Sequence, residues 1–539
     1  MARPWQWSAL LLLISTGLLC TLVVARARDA LPLRASTVIC IALLTRLPAL
    51  FAAPLLDDDY FRFLWDGHQV LAGFSPYASA PSDHFLRVDL SSAWASVLSE
   101  INHPDVPTIY GPSLQAVFAL AVALGNADPW ALKLLFVAVD VALVLVLLRA
   151  GCTRWLVLLY VVNPLAVKEI GYCLHPDGLI ALPMTLALLA LTRLRPFQAG
   201  VCAAVVVCAK LPLLLLVAAL NLKNAAHRKA IFFCALIAAI AYLPFLFPDP
   251  MRPFVGLRAF ADVWRFNALG YLVFEWIGGA QSRMVLTYFY IVGAAVTAYS
   301  VAYKNASTAK AAVMFLAVIL FTAPTVNPWY WLPLLPLAIV TQRQDGTLLL
   351  TPWLGSFVLL LGYVDGSMLA DFGVTRIRGE FSVLPAATIL QFMTIFAGFA
   401  YDLRRIALDA ALYVAVRIPM TLSNALIRQR FSGVTQIPAQ RVLDLAAAAQ
   451  AILWIDIASP YCPLDLSAYA EPVTSQAEAQ ARATMFQQEH RQGRIVISCA
   501  AGYRSSEMAV RLTRAGIENV SNVEGGRRAL AHLRGRSRR

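Results

Sequence analysis

The sequence predicts a polytopic α-helical membrane protein of about ten to twelve spans, followed by a small soluble α/β domain. Three observations carry that prediction. Of 539 residues, 59% are hydrophobic and only 14% charged, against about 25% charged in an ordinary soluble domain. The apolar residues come in runs close to the ~20 that cross a bilayer as helix. Near residue 402 the composition changes abruptly, from apolar runs with short loops to a mixed polar sequence.

Taken in order, the runs at 7–24, 35–54, 130–149, 178–193, 229–246, 285–303, 309–323, 347–363 and 385–401 read as spans. Those at 112–126, 154–166 and 330–341 are shorter and read as tilted, re-entrant or buried. The stretch 197–220 has basic flanks on both sides and Lys210 at its middle, which predicts a broken or re-entrant element. Arg3, the first run and Ala25-Arg26-Ala27 imitate a signal peptide. A second apolar run follows at once, so an uncleaved first hairpin is the better reading.

Basic loops at 26–34, 150–154, 192–195, 223–229, 304–310 and 403–405 read as cytoplasmic. Loops at 55–111, 247–270, 324–329 and 364–384 then fall outside, and 112–126 and 130–149 cannot both cross. The net charge of +13 sits in those short loops, so it points to a lipid bilayer and not to nucleic acid. The nine cysteines are scattered, with no metal-ligand spacing and no disulfide framework; Cys499 is the exception. The predicted organisation is a membrane domain over 1–402, an amphipathic linker over 403–434 and a soluble domain over 435–535. The protein is placed in the cell (inner) membrane, with the soluble domain in the cytoplasm.

The first outer loop carries the most chemistry. Asp57, Asp58 and Asp59 stand together at the end of a span, followed by Tyr60 to Gly67 with Arg62 and Asp66, then by Gly73 to Tyr77. Carboxylates beside hydrocarbon are costly unless solvated or employed. One could deprotonate an acceptor hydroxyl, or the group could hold a divalent metal; a solvated loop start is the plain alternative. His103 and Tyr110 precede the next apolar segment. Glu169, His175 and Asp177 lie between two apolar segments, and Lys210 interrupts a third. Intramembrane charges are functional candidates by default. A lysine in a membrane cavity suits a lipid phosphate; pairing with a carboxylate such as Glu169 is the alternative.

These motifs resemble the integral-membrane glycosyltransferases of the GT-C superfamily, particularly polyprenol-phosphate mannosyltransferase-like members, over about residues 35–400. The acidic motif, the run Tyr60 to Gly67, the run Gly73 to Tyr77 (Ser75 where Asn is usual), and Asn163-Pro164-Leu165 with Glu169 and His175-Pro176-Asp177 carry the likeness. Pro176 departs from the usual Asn. The resemblance implies transfer of a mannose-like sugar from a polyprenyl-phosphate donor to an unidentified acceptor on the outer face. Asp58 or Asp59 would be the catalytic base. Asp57, Arg62, Asp66, His103, Tyr110, Glu169, His175, Asp177 and Lys210 would line the substrate site, with Lys210 and Arg62 on the lipid phosphate and no cofactor required.

The soluble domain alternates helices and strands: helix 438–449, strand 452–457, helix 474–490, strand 494–498, helix 504–515 and strand 519–523, then Glu524-Gly525-Gly526 and a last helix. That alternation implies a mostly parallel sheet. Cys499 follows a buried strand directly, and a helix begins after Gly502. Backbone amides there can form an anion cradle, and with Arg504 they favour the thiolate. A buried structural cysteine is the plain alternative.

The loop Cys499 to Ser505, with Gly516 to Val520 and Glu524-Gly525-Gly526, resembles the rhodanese family. The spacing of Cys499 and Arg504 matches its short loop. The resemblance implies a persulfide on Cys499, taken from a sulfane-sulfur donor, with Gly502, Arg504 and Ser505 as binding groups. Ala458 stands where Arg is frequent, and Tyr461 to Asp465 replaces the usual His-containing run, so a sensor role is also open. A membrane transporter for a sulfur species or other solute, coupled to this domain, is the competing overall reading, although no transporter repeat is evident. A non-catalytic scaffold is the third.

Overall fold

A computed structural model describes residues 33–54, 58–303, 306–363, 389–404, 427–429, 431–448, 451–457, 470–473, 476–499, 502–527 and 529–530, with single positions at 15, 17, 19 and 424. Asp57, most of the run at 7–24, the loop 364–384, most of the linker, and Cys462 lie outside the described residues. The chain divides into two compact units, Met1–Asp402 and Leu403–Arg539.

In the first unit the apolar runs fold as helices, because a backbone out of water must satisfy its own N–H and C=O groups. Among the described residues three helices are long and apolar enough to cross a membrane: Trp130–Arg149, Ala225–Phe245 and Leu269–Tyr303. A bent pair, Arg154–Val161 and Pro164–Tyr172, qualifies across a 49° break, and six shorter apolar helices accompany them. The multi-helix architecture is thus that of a multi-pass membrane protein. The helices that frame the site are α1 (Ala35–Arg46), α2 (Tyr60–Leu71), α3 (Pro112–Gly125), α4 (Trp130–Arg149), α5 (Arg154–Val161), α6 (Asp177–Thr192), α7 (Pro196–Ala209) and α8 (Leu334–Asp345).

Two contacts orient α4. At its start the Lys133 ammonium donates to the Ala52 carbonyl. Just beyond its end Arg154 donates to the Leu33 carbonyl at 3.0 Å. Helices α1 and α4 therefore run antiparallel, with the acidic loop at the end where α4 begins. Helix α3 starts after that loop and ends shortly before α4 starts. Its 14 residues reach about 21 Å, short of the ~30 Å hydrocarbon core. Of the two segments that cannot both cross, α4 is long and apolar enough to do so, and α3 is among the shorter apolar helices. Helix α3 instead supports α2: a Cβ on Gly67 would stand 2.4 Å from the Phe118 carbonyl oxygen, so only glycine permits this approach.

At the opposite end, Thr153 bonds Gln342 of α8 at 2.8 Å and Lys310 faces Asp345 at 3.9 Å. Inside the bundle, Arg46 of α1 bonds Asp140 of α4 at 2.8 Å, both 1% exposed, and the Tyr160 hydroxyl of α5 donates to the same carboxylate. This triad ties three helices together. Removing one member of such a buried pair costs about 3–5 kcal/mol.

The second unit holds a five-stranded, all-parallel sheet in the order β1-β5-β4-β2-β3: β1 (Thr435–Ile437), β2 (Ile452–Ile457), β3 (Glu471–Val473), β4 (Arg494–Ser498) and β5 (Val520–Val523). Helices α9 (Ala439–Ala447), α10 (Gln476–Glu489) and α11 (Tyr503–Arg514) cover it. Strand alternation sorts the core. Leu453, Ile455, Ile495 and Ile497 pack with Ala479 and Ala483 of α10 and Leu512 of α11. Trp454 and Val496 point the other way and pack with Val442 of α9. The three-residue strands β1 and β3 were not foreseen from sequence.

Candidate functional site

The acidic loop is fastened at several points. Asp59 caps the start of α2, its carbonyl accepting from the Arg62 amide at 2.9 Å. Asp58 accepts from the Asn102 side chain. Both carboxylates are half-buried. Tyr60 is pushed up to about 12 by burial and by the carboxylates of Asp58 and Glu100, so its phenol stays neutral.

Arg62 and Asp66 are committed to the loop itself. Arg62 bonds Asp66 at 3.0 Å and the Val106 carbonyl at 2.6 Å. Asp66 also accepts from Thr108 and, at 3.1 Å, from Gln115. Burial pushes the Asp66 carboxyl up, against the pull of Arg62 and of those hydrogen bonds. Tyr110 is a core ring set edge-on to Phe63 at 5.1 Å, and His103 lies edge-on to Trp264 at 4.6 Å. Arg62 and Asp66 thus brace the loop.

The intramembrane charges form two groups. The first is built on a tight turn: a π-helical turn over Val167–Tyr172 is followed by Leu174 at φ +63°, a strained conformation for a branched side chain. The turn folds His175 back on Glu169, Nδ1 to carboxylate 2.8 Å. Lys168 lies 3.0 Å from the same carboxylate, and the Tyr363 hydroxyl donates to it at 3.0 Å. The second group joins Asp177, at the start of α6, to Lys210, with Nζ–O distances of 2.7 and 2.9 Å. Lys210 stands at the break where α7 gives way to a 3-10 stretch, Leu211–Ala219. Its partner is Asp177, correcting the suggested pairing with Glu169; Lys168 holds that position instead.

The two groups adjoin through aromatic rings. His175 stacks on Trp329 at 3.6 Å, and the Lys210 ammonium lies 4.1 Å over the ring of Tyr330. The carboxylates of Asp177 and Asp59 both act electrostatically on the Tyr330 hydroxyl. Asp59 and Asp177, far apart in sequence, thus lie within electrostatic reach of the tyrosine whose ring Lys210 faces. In the sequence, Tyr330 is only the first residue of the short apolar run 330–341. The seating of the loop is also fixed: the Gly111 amide donates to the Ala209 carbonyl at 3.2 Å, and a Cβ at 111 would stand 2.1 Å from the Cys208 carbonyl oxygen.

Among the described residues, the group of His, Cys and acidic side chains close enough to share a metal is Glu169, Cys173 and His175, with ligand atoms within 4.8 Å of one another. Asp57 of the aspartate triplet lies outside the described residues. Lys168 already lies 3.0 Å from Glu169 and 3.1 Å from the Cys173 sulfur. Its ammonium does there what a bound cation would do, so a metal would have to displace it.

In the second unit, Cys499 ends β4 and is 2% exposed. The Gly502 amide and the Ser505 hydroxyl both donate to its sulfur at 3.2 Å. Gly502 has φ +92°, which lets the chain turn into α11. Beneath the loop, Trp454 donates to Ser498 at 2.9 Å and Ser498 to Asp456 at 2.6 Å. Arg527 bonds that carboxylate at 3.1 Å, and its amide donates to the Cys499 carbonyl at 2.7 Å. Sequence reading missed Arg527; its place directly after Gly525-Gly526 was the available signal. Arg504 is half-buried at the start of α11.

Residues 2–226 match the family described as "Alpha-(1->6)-mannopyranosyltransferase, N-terminal domain". The N-terminal domain thus matches a GT-C-like mannosyltransferase family. The matched region takes in the acidic loop, the 169–177 turn and Lys210. No curated protein and no solved structure matches the chain.

Proposed function

We propose that the membrane unit is a glycosyltransferase that moves a mannose-like sugar from a polyprenyl phosphate to an acceptor hydroxyl on the outer face. The observation that carries the reading is the convergence of Asp59 and the Lys210–Asp177 pair on Tyr330. A half-buried carboxylate and a cation, both near one tyrosine at the end of the bundle that holds the acidic loop, are the two groups this reaction needs. Asp59 takes the proton of the acceptor hydroxyl, with Asp58 beside it. The freed oxygen attacks the anomeric carbon and inverts it. The bond to the phosphate oxygen breaks, and its electron pair leaves with the phosphate, stabilised by Lys210. A phosphate leaving group needs little protonation, so one base suffices.

Asp59→Asn should lower transfer in a reconstituted assay about 100- to 10,000-fold, the worth of a general base, while the protein remains stably inserted. Full transfer by both Asp59→Asn and Asp58→Asn would place the base elsewhere.

The second unit, in this reading, is a cytoplasmic rhodanese-like sulfurtransferase or sensor. The Cys499 thiolate attacks the outer, sulfane sulfur of thiosulfate, that donor's S–S bond breaks, and sulfite leaves with the electron pair. A persulfide remains on Cys499, and two donors, Gly502 and Ser505, support the sulfur.

A further inference from the structure

A cavity of about 490 Å³ opens between the last turns of α4 and α6 and the first turns of α7. Its walls are apolar, among them Leu189, Phe197 and Cys202, and its polar groups are Arg149, Arg193 and Gln198. No carboxylate lines it. Both arginines are exposed. The first turn of the 14-residue α7, which has no side-chain cap, begins at the same place and turns its positive end there. Arginines at helix ends are ordinary complements of the helix dipole and of membrane orientation. Neither of those roles calls for an apolar cavity between them.

We infer that this cavity binds an anionic phospholipid, its phosphate held by Arg149 and Arg193 and one acyl chain lying against Leu189 and Phe197. Charge complementarity selects the occupant: two guanidiniums and a helix N-terminus meet at the mouth of an apolar space at the end of a membrane-length helix. Basic pockets between membrane helices recognise lipid headgroups in this way. The cavity is separate from the Asp59–Lys210 site. Helix α6 runs from Asp177 to Thr192, about 24 Å, and the cavity lies at its far end. The inference therefore stands apart from the glycosyltransferase reading.

The test uses the full-length protein in vesicles of phosphatidylcholine, with or without phosphatidylglycerol. Alkylation of Cys202 by a membrane-permeant maleimide is followed by peptide mass spectrometry. Phosphatidylglycerol should slow labelling of Cys202 several-fold and leave Cys234 unchanged. The double variant Arg149→Gln, Arg193→Gln changes two exposed side chains. It should weaken phosphatidylglycerol binding roughly fivefold per arginine removed, since each basic group near a charged lipid is worth about 1 kcal/mol, and so abolish the protection. Equal labelling in both vesicles, or protection that survives the double variant, overturns the inference.

Discussion

At Lys210 one ammonium group meets three demands. It neutralises Asp177, lies over the Tyr330 ring, and keeps 22% of its side chain exposed. A lysine wholly consumed by its carboxylate would offer nothing to a lipid phosphate; a lysine without one would be expensive in the bundle. Lys210→Gln should therefore lower transfer about 100-fold, the usual worth of one donor to a developing anion. Adding Asp177→Asn should cost little more, because the pair acts as a unit. Independent, additive losses in a double-mutant cycle would refute that coupling. The acidic loop and Cys499 were legible in the sequence because each is a local pattern. The partner of Lys210 was not, because the start of α6 and the break after α7 meet only through packing. The same holds for Arg46 and Asp140, single charges inside long apolar runs.

Among the elements, α2 carries Asp59 at its first turn and is steadied by aromatic contacts farther along. His68 of α2 stacks on Trp94 at 4.1 Å. Burial, and then Arg87, hold its imidazole below the usual range. His84 is held down by the same two causes, with Asp83 pulling the other way. The unfolded chain takes a proton near about pH 6.5, and the folded loop resists it. The stability these rings contribute is thus present above that value and is lost as pH falls through the depressed folded values. Hydrogen exchange over residues 60–99, corrected for intrinsic rates, should quicken on acidification from about pH 7 to about pH 5. His68→Phe should blunt the response. A flat profile would show that the rings do not govern the loop. Elements were legible where a period was long enough to read. The strands β2 and β4 declared themselves by continuous apolar residues, whereas β1 and β3, three residues each, are too short to show one. Hydropathy also left open how α4 lies against α1, which contacts at the two ends of α4 show to be antiparallel.

For the molecule as a whole, charge distribution predicts that the acidic loop and the soluble domain lie on opposite sides of the membrane. Reporter fusions after residues 80 and 430 should report opposite compartments; the same compartment for both would overturn the arrangement. The second unit has its own sheet and its own two-sided core, so a fragment from about 432 to 539 should fold without detergent. Incubated with thiosulfate, it should gain one sulfur on Cys499, read by mass spectrometry, and Cys499→Ser should gain none. Sulfur on Cys462, or on neither cysteine, would rule out transfer at this loop. The fit of Gly111 against Cys208 and Ala209 has a consequence for how such a protein can change over time. Because the glycine and the helix end that receives it meet so closely, a change in one constrains the other, and the two must be inherited together. A chimaera that imports the loop alone would arrive with Asp59 on one ancestor's spacing and Lys210 on another's.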